Sequence, residues 1–461
     1  MASNTYLGGV FMTDTDGNLT TRQLISTENV CGLIIDTACV GGIANALDGN
    51  ETAKASFGDG NVVELNMPAD IKESGLDKNI MAGIPYYHVS NFFTLAGSNQ
   101  RLFVSFMDSS VDTEFEAIER MQLAANGIIY QIGIWTSQPF ATVSGSSVNI
   151  IDNGLLTKLE TQAELLGGKV GVTNFEGNSP LNVIVTAPVA ASAQIDYSKL
   201  PDINSLNLPK VSVLIGQAAN DEIHDMQLAI NVKAGNKTGH ITVGNIGAAL
   251  ACFAVAPVEE SIAHVRNFNL SSVMTTAELG FGNTTIEGEG GSEKFVDNAS
   301  FTNIKTLNYT KRNTKLHQLG YIFLTTHSGI ENGVFFSSDQ TLTSGDYRTI
   351  ARCRTIHKAR RVVRLALLPY VNEAVEVDAS TGQLSNAMIT EYQNTVYDAL
   401  DNNMVDPGSR SSQISGRQCT INPEQNILEN DQLLIDFRIV PMGCTSAIFV
   451  TEGFTATVSE Q

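Results

Sequence analysis

Charge is scarce in this chain, and positive charge is scarcest. Only 16% of the 461 residues are Asp, Glu, Lys or Arg, and 28 basic residues stand against 48 acidic ones, a net charge of −20. A surface of that sign repels nucleic acid, so a nucleic-acid partner is not expected. Long hydrophobic runs are also missing. Nothing approaches the roughly 18 consecutive apolar residues of a membrane-spanning helix, so no membrane insertion is expected. The opening residues Met1 to Tyr6 lack the basic and apolar regions of a secretory signal, which places the start of the chain's life in a cytoplasm. The six cysteines (Cys31, Cys39, Cys252, Cys353, Cys419, Cys444) form no CxxC pair, and four lie within apolar runs. That pattern reads as reduced, buried thiols. The apolar fraction of 43% is ordinary, which with low charge density argues against intrinsic disorder.

Signatures of catalysis are just as sparse. There is no GxSxG, HExxH or GxGxxG, and the segment Gly49 to Ser56 lacks the second Gly and the Lys-Ser/Thr pair that cradle phosphate. The turn Gly244-Asn245-Ile246-Gly247-Ala248-Ala249 could open a helix beneath an anion, but a plain turn into a helix is the simpler reading. The seven His are scattered without an i,i+4 pair. Asp14-x-Asp16-Gly17 misses the ligand order of a calcium loop and reads as a hairpin turn. No catalytic residue, cofactor or metal is expected.

What is there is periodicity. Cys31–Ile35, Arg101–Met107, Ile128–Trp135, Leu181–Val185 and Val211–Ile215 read as buried strands, and the segments 112–126 and 154–166 carry apolar residues at helical spacing. Strand–helix alternation of this kind predicts an α/β layered fold with a largely parallel sheet. The stretch 268–304, rich in Asn, Thr, Gly and Glu, reads as a long surface excursion. A compact unit is predicted from about Thr306 onward: strands at 321–325 and 333–336, helices at 346–366 and 383–402, then strands near 418–422, 432–440, 446–451 and 453–459.

Two features stand out. Arg348, Arg352, Arg354, Lys358, Arg360, Arg361 and Arg364, a quarter of all basic residues, fall on one predicted helix with no acid among them. The next helix aligns Glu391, Asp398 and Asp401 on one face, opposite Leu384, Met388, Tyr392 and Val396. Such faces are either simply solvated or complementary patches on identical subunits. The chain also ends in a period-two pattern, with Phe454, Ala456 and Val458 alternating with Thr455, Thr457 and Ser459. A strand there pairs within its subunit or adds to a neighbouring copy. An apolar run at the start, with Leu7, Val10 and Met12, has the same potential.

The C-terminal third resembles the tail sheath proteins of contractile phages and related injection particles. The likeness is carried by Gly320-Tyr321-Ile322-Phe323-Leu324, Gly333-Val334-Phe335-Phe336, Asp346-Tyr347-Arg348-Thr349-Ile350, the basic helix through Arg360-Arg361-Val362-Val363-Arg364, and Val377-Asp378-Ala379-Ser380-Thr381-Gly382. Val30 to Ala38 and Val89 to Phe93 are similar to that family's first strand and a later helix-to-strand step.

The resemblance implies a multidomain α/β (α+β) subunit: an N-terminal arm at 1–25, outer α/β domain(s) at 26–304 with the insertion 268–304, an inner sheath domain at 305–445, and a C-terminal strand arm at 446–461. It implies no enzyme. The partners would be further copies stacked as six-membered rings, an inner tail tube protein, and baseplate and terminator proteins, all in a virion tail. Under it, Leu7, Val10, Met12, Phe449, Phe454, Ala456 and Val458 would join neighbours as strands. Some of the seven basic residues would meet acidic patches across subunits, and Glu391, Asp398 and Asp401 would face the tube. A pyocin-like or extracellular injection particle would read almost identically. From other classes, a phosphate-binding α/β enzyme using Gly244–Ala249 and a non-contractile shell or adhesin protein stay open.

Overall fold

The computed structural model describes residues 29–450 apart from 145–146, 169–176, 191–194, 197–198, 216–220, 236–240, 276–277, 280–294, 298–299, 302–308, 328, 331–332, 406 and 408–411. Its centre is a six-stranded sheet built from β1 (Cys31–Asp36), β2 (Val63–Leu65), β3 (Leu102–Met107), β4 (Gln131–Trp135), β5 (Asn182–Thr186) and β6 (Val211–Val213). Their order across the sheet is β6-β5-β4-β1-β3-β2. All pairings are parallel except β2 on β3. β1 explains why the sheet is central. Every residue of Cys-Gly-Leu-Ile-Ile-Asp is buried, with Leu33 and Ile35 entering one apolar core and Ile34 the other. A strand covered on both faces must be apolar at consecutive positions.

Helices α1 (Ile84–Ala96) and α4 (Ile246–Val255) cover the first face, and α2 (Ala117–Ala124) and α3 (Leu155–Gly167) cover the second. α4 is buried all round, from Ile246 to Ala254. It approaches α1 so closely that a Cβ on Gly247 would lie 2.0 Å from the His88 carbonyl oxygen.

The expected boundary near residue 305 is not where the cores divide. Tyr321 and Phe323 lie in one core of the sheet and Ile322 and Leu324 in the other, alternating as a further strand would. The physical reason is pairing: Ile322 N–H donates to the Val213 carbonyl at 2.9 Å, and Ile215 N–H donates to the Ile322 carbonyl at 2.8 Å. The short hairpin β7 (Leu324–Thr325) and β8 (Phe335–Phe336) packs there too. The surface excursion is also corrected at its start, because Phe268, Leu270, Met274 and Leu279 are buried in the first core.

The remaining unit has its own core. It joins α5 (Ile350–Leu367), α6 (Asn386–Leu400) and the antiparallel hairpin β9 (Ile414–Ile421) and β10 (Ile435–Pro441) around Val362, Val363, Tyr392, Val396, Leu400, Cys419 and Ile439. α5 belongs to both bodies: Ile350 lies in the first core, while Ala359 and Val362 lie in this one. The strand expected at 446–451 is not formed over its described residues 446–450, which carry no secondary structure. Ile448, Phe449 and Val450 are 79, 95 and 82% exposed, so no layer among the described residues covers them.

Candidate functional site

In an open α/β sheet, the place to look for chemistry is the crevice beyond the strand ends where the strand order reverses. Here that is the end of β1, between β3 and β4. Asp36 fills it, fully buried. Its Oδ1 accepts from the N–H groups of Ala38 and Ser109 at 3.0 Å each, and its Oδ2 accepts from Ser109 Oγ (2.7 Å) and Thr136 Oγ1 (2.6 Å). The carboxylate ties three strand ends together and is saturated by the chain's own donors.

The Gly244–Ala249 turn is equally occupied. Asn245 caps α4 by accepting from Ala248 N–H at 3.1 Å, and it is held by Asn91 Nδ2 (3.2 Å) and by its own donation to the Leu279 carbonyl (3.1 Å). Gly247 serves the contact with α1. The turn is a capped helix start inside a core, as the simpler sequence reading expected. Among the described residues no group of three or more His, Cys, Asp or Glu could hold a metal ion, and no helix is long and apolar enough to cross a membrane.

The basic helix is where sequence reasoning needs correction. Thr349 caps α5 by accepting from Arg352 N–H (3.3 Å), and buried Asp339 accepts from Ala351 N–H (3.0 Å) and Ser261 Oγ (2.7 Å). From that anchored start, the cations reach into the first body rather than outward. Arg354 donates to the carbonyls of Phe253 (2.8 Å) and Ala256 (3.1 Å) at the C-terminal end of α4. Arg360 donates to the Gly167 carbonyl, which ends α3, and to that of Gly177 at 3.3 Å. Arg361 donates to the carbonyls of Gly127 (2.7 Å), Ile129 (2.8 Å) and Pro180 (2.6 Å), with its guanidinium 4.0 Å above the Tyr130 ring. Lys358 donates to Gln413 Oε1 at 2.7 Å, within the C-terminal unit.

Arg354, Lys358 and Arg360 are therefore buried. For them and for Arg361 acceptors lie within the chain itself, so their burial does not by itself call for acidic patches on neighbouring copies. Cations suit helix C-termini, where carbonyls lack partners and the dipole is negative. Reversing Arg360 and Arg361 to Glu would therefore disrupt the fold, not assembly alone. His357, buried among them, is held far below the usual imidazole range by desolvation first, then by Lys210, Arg360 and Arg361. Arg348 is exposed, and Arg352 and Arg364 are half-buried.

The acidic face divides as well. Glu391 and Asp398 are exposed on α6, whereas Asp401 is half-buried and accepts a bidentate pair of bonds from Arg417 on β9. The same edge of β9 is held at Cys419, whose N–H donates to Tyr397 Oη (3.0 Å) and whose carbonyl accepts from Tyr397 Oη (3.3 Å) and Gln393 Nε2 (3.5 Å). Neither Tyr397 nor Gln393 was singled out from sequence; their only signal is spacing four apart on the α6 side that meets β9. Of the expected strand arms, Phe449 is placed and bare. Leu7, Val10, Met12, Phe454, Ala456 and Val458 lie outside the described residues.

This architecture, a parallel-sheet body carrying a helix–hairpin unit on a shared basic helix, is similar in fold to a solved contractile sheath. Over 98% of its length the chain matches the helical sheath of the anti-feeding prophage in its contracted state, covering 100% of that chain at 11% identity with a TM-score of 0.51. A chain of the anti-feeding prophage baseplate (99% and 100% covered, 10% identity, TM-score 0.49) and one of the PVC sheath complex of an extracellular contractile injection system, contracted (99% and 99% covered, 11% identity, TM-score 0.48), are also similar. Residues 346–459 match the family described as "DUF2586, C-terminal domain". No curated protein matches the sequence.

Proposed function

We propose that the chain is the structural subunit of a contractile sheath, a non-enzymatic protein that polymerises around an inner tube and contracts to drive that tube through a cell envelope. The observation that carries this reading is the full-length likeness in fold to a solved helical sheath. Energy in such a device resides in the extended assembly itself, so no fuel need be hydrolysed, and rigid bodies rearrange while main-chain links between neighbours persist.

The partners on this reading are further copies in stacked six-membered rings, the tube protein, and baseplate and terminator proteins. The particle would be a tail assembled in a bacterial cytoplasm, delivering a phage genome or, as an injection particle, another cargo. The parallel-sheet body lies outside and the unit from α5 onward lies next to the tube, with Glu391 and Asp398 as the tube-facing acids. Arg348, Arg352 and Arg364 are the basic residues proposed to meet neighbours. The exposed Ile448-Phe449-Val450 supports an arm that finds its cover on another copy.

Negative-stain microscopy of the purified full chain tests this reading. Tubes or stacked rings of uniform width are expected. A protein that stays monomeric at every concentration and salt tried, with or without the tube protein, overturns it.

A further inference from the structure

The first apolar core has a polar margin where α5 crosses the start of the sheet. Gln131 opens β4 and Asn182 opens β5, and the two are direct partners in the parallel register. Neighbouring strands set such residues about 4.8 Å apart. Both side chains lie on the first face, because Ile132 and Val183, which follow them, enter the second core. Cys31, the partner of Gln131 on β1, continues the row on one side. Lys210, whose carbonyl accepts from Val183 N–H at 2.8 Å, continues it on the other. α5 lies across this row. The charge of Arg354 reaches the Cys31 thiol, and those of Lys210, Arg360 and Arg361 reach the His357 imidazole. Arg361 also holds the carbonyls of Ile129 and Pro180, each two residues ahead of one of the amides. Gln131, Asn182 and His357 are 1% exposed or less. Among the described residues, neither polar atom of either amide has a hydrogen-bond partner, even in the other amide, and the same holds for His357 Nδ1. Ser212 Oγ, on the first face of β6, is likewise buried and unmet.

We infer that a cluster of ordered water molecules is bound between α5 and the starts of β4 and β5, bridging the Gln131 and Asn182 amides to His357 Nδ1. Buried polar groups are costly unless bonded, and here two complete amides stand side by side beneath a bare ring nitrogen. The ligand follows from what is unmet. Each amide presents an acceptor oxygen and a donor nitrogen, so partners of both kinds are required. An anion such as chloride satisfies the donors and leaves Gln131 Oε1 and Asn182 Oδ1 bare. A metal cation satisfies only the oxygens and would sit among the charges of Lys210, Arg360 and Arg361. Water gives and accepts, and a buried water needs about two to four polar partners, which this group supplies. The waters tie the strand starts to α5 beside the direct bonds of Arg361, so the joint between the two bodies is hydrated at this point. The site does not depend on whether the chain polymerises.

Two measurements on the full chain test it. A crystal or cryo-EM map at about 2 Å should show ordered waters within about 3.2 Å of both amides and of His357 Nδ1. Amides that bond each other or α5 directly, with no peak between them, overturn the proposal. A peak that scatters anomalously at the bromine edge in crystals grown from bromide marks an anion, and overturns the assignment to water. The second measurement removes the polar atoms at nearly constant volume, in the double variant Gln131→Met, Asn182→Leu. If the amides are hydrated, the waters lose their partners and the midpoint of thermal unfolding falls by about 2 °C or more. In a dry site the same exchange only deletes unmet polar groups, and the midpoint rises. An unchanged or raised midpoint therefore overturns the proposal. A fall from faulty packing alone is told apart by a map of the variant: the peaks beside residues 131 and 182 should be gone, and peaks that persist there overturn it.

Discussion

Arg361 illustrates how a cation can be structural without a carboxylate. Its guanidinium spans three carbonyls from two separate segments and lies on a tyrosine ring, a geometry only a planar fork can satisfy. Arg361→Ala is expected to cost about 3 kcal/mol in urea unfolding, because buried acceptors lose charge-assisted bonds. Arg361→Lys should recover little of it. Arg348→Ala, at an exposed position, should stay within about 0.5 kcal/mol of the parent. Equal midpoints for Arg361→Ala and the parent would refute the assignment. His88 makes a second test at this scale. Fully buried, with neither ring nitrogen bonded, it is pushed down to about 3 by desolvation. The unfolded chain therefore binds a proton below about pH 6.5 that the folded chain refuses, so stability is complete above that pH and falls as the pH drops toward 3. Between pH 7 and pH 5 the loss from this group is about 2 kcal/mol. His88→Asn should flatten that part of the stability–pH curve, and an unchanged slope would count against it.

Between elements, the tightest constraint is the α1–α4 contact. A methyl group on Gly247 would meet the backbone of His88, which cannot swing aside as a side chain could. Gly247→Ala should lower the midpoint of thermal unfolding by several degrees even though alanine favours helices. A rise in the midpoint would show that the helices part readily. Elements were the most legible level of the sequence. The runs behind β1, β3, β4, β5 and β6 announce strands because both faces are covered, and Leu155, Leu159 and Ala163 announce α3 by their spacing. Partnership was not legible. Tyr321–Leu324 reads as a strand, but nothing in its period tells that it lies beside β6 instead of opening a new domain. The charges of α5 were equally visible and their meaning hidden, since the acceptors are carbonyls, which every residue has and no sequence pattern advertises. Residues 446–450 form an apolar run no different from that of a paired strand; whether a partner exists within the subunit is a fact about the surroundings.

At the scale of the whole molecule, two bodies are joined by one helix that each of them helps to build. α5 begins in the core of the parallel sheet, caps the ends of α3 and α4, and finishes against α6 and the hairpin. A rotation of one body relative to the other would break bonds from Arg354, Arg360 and Arg361 together, so the two travel as one piece. The matched stretch 346–459 begins just ahead of α5. Cut out on its own, that stretch would bring along three arginines whose acceptors stayed behind in the sheet body. The boundary of the matched stretch thus runs through the joint between the two bodies, and that stretch expressed by itself is expected to unfold more readily than the same residues in the full chain.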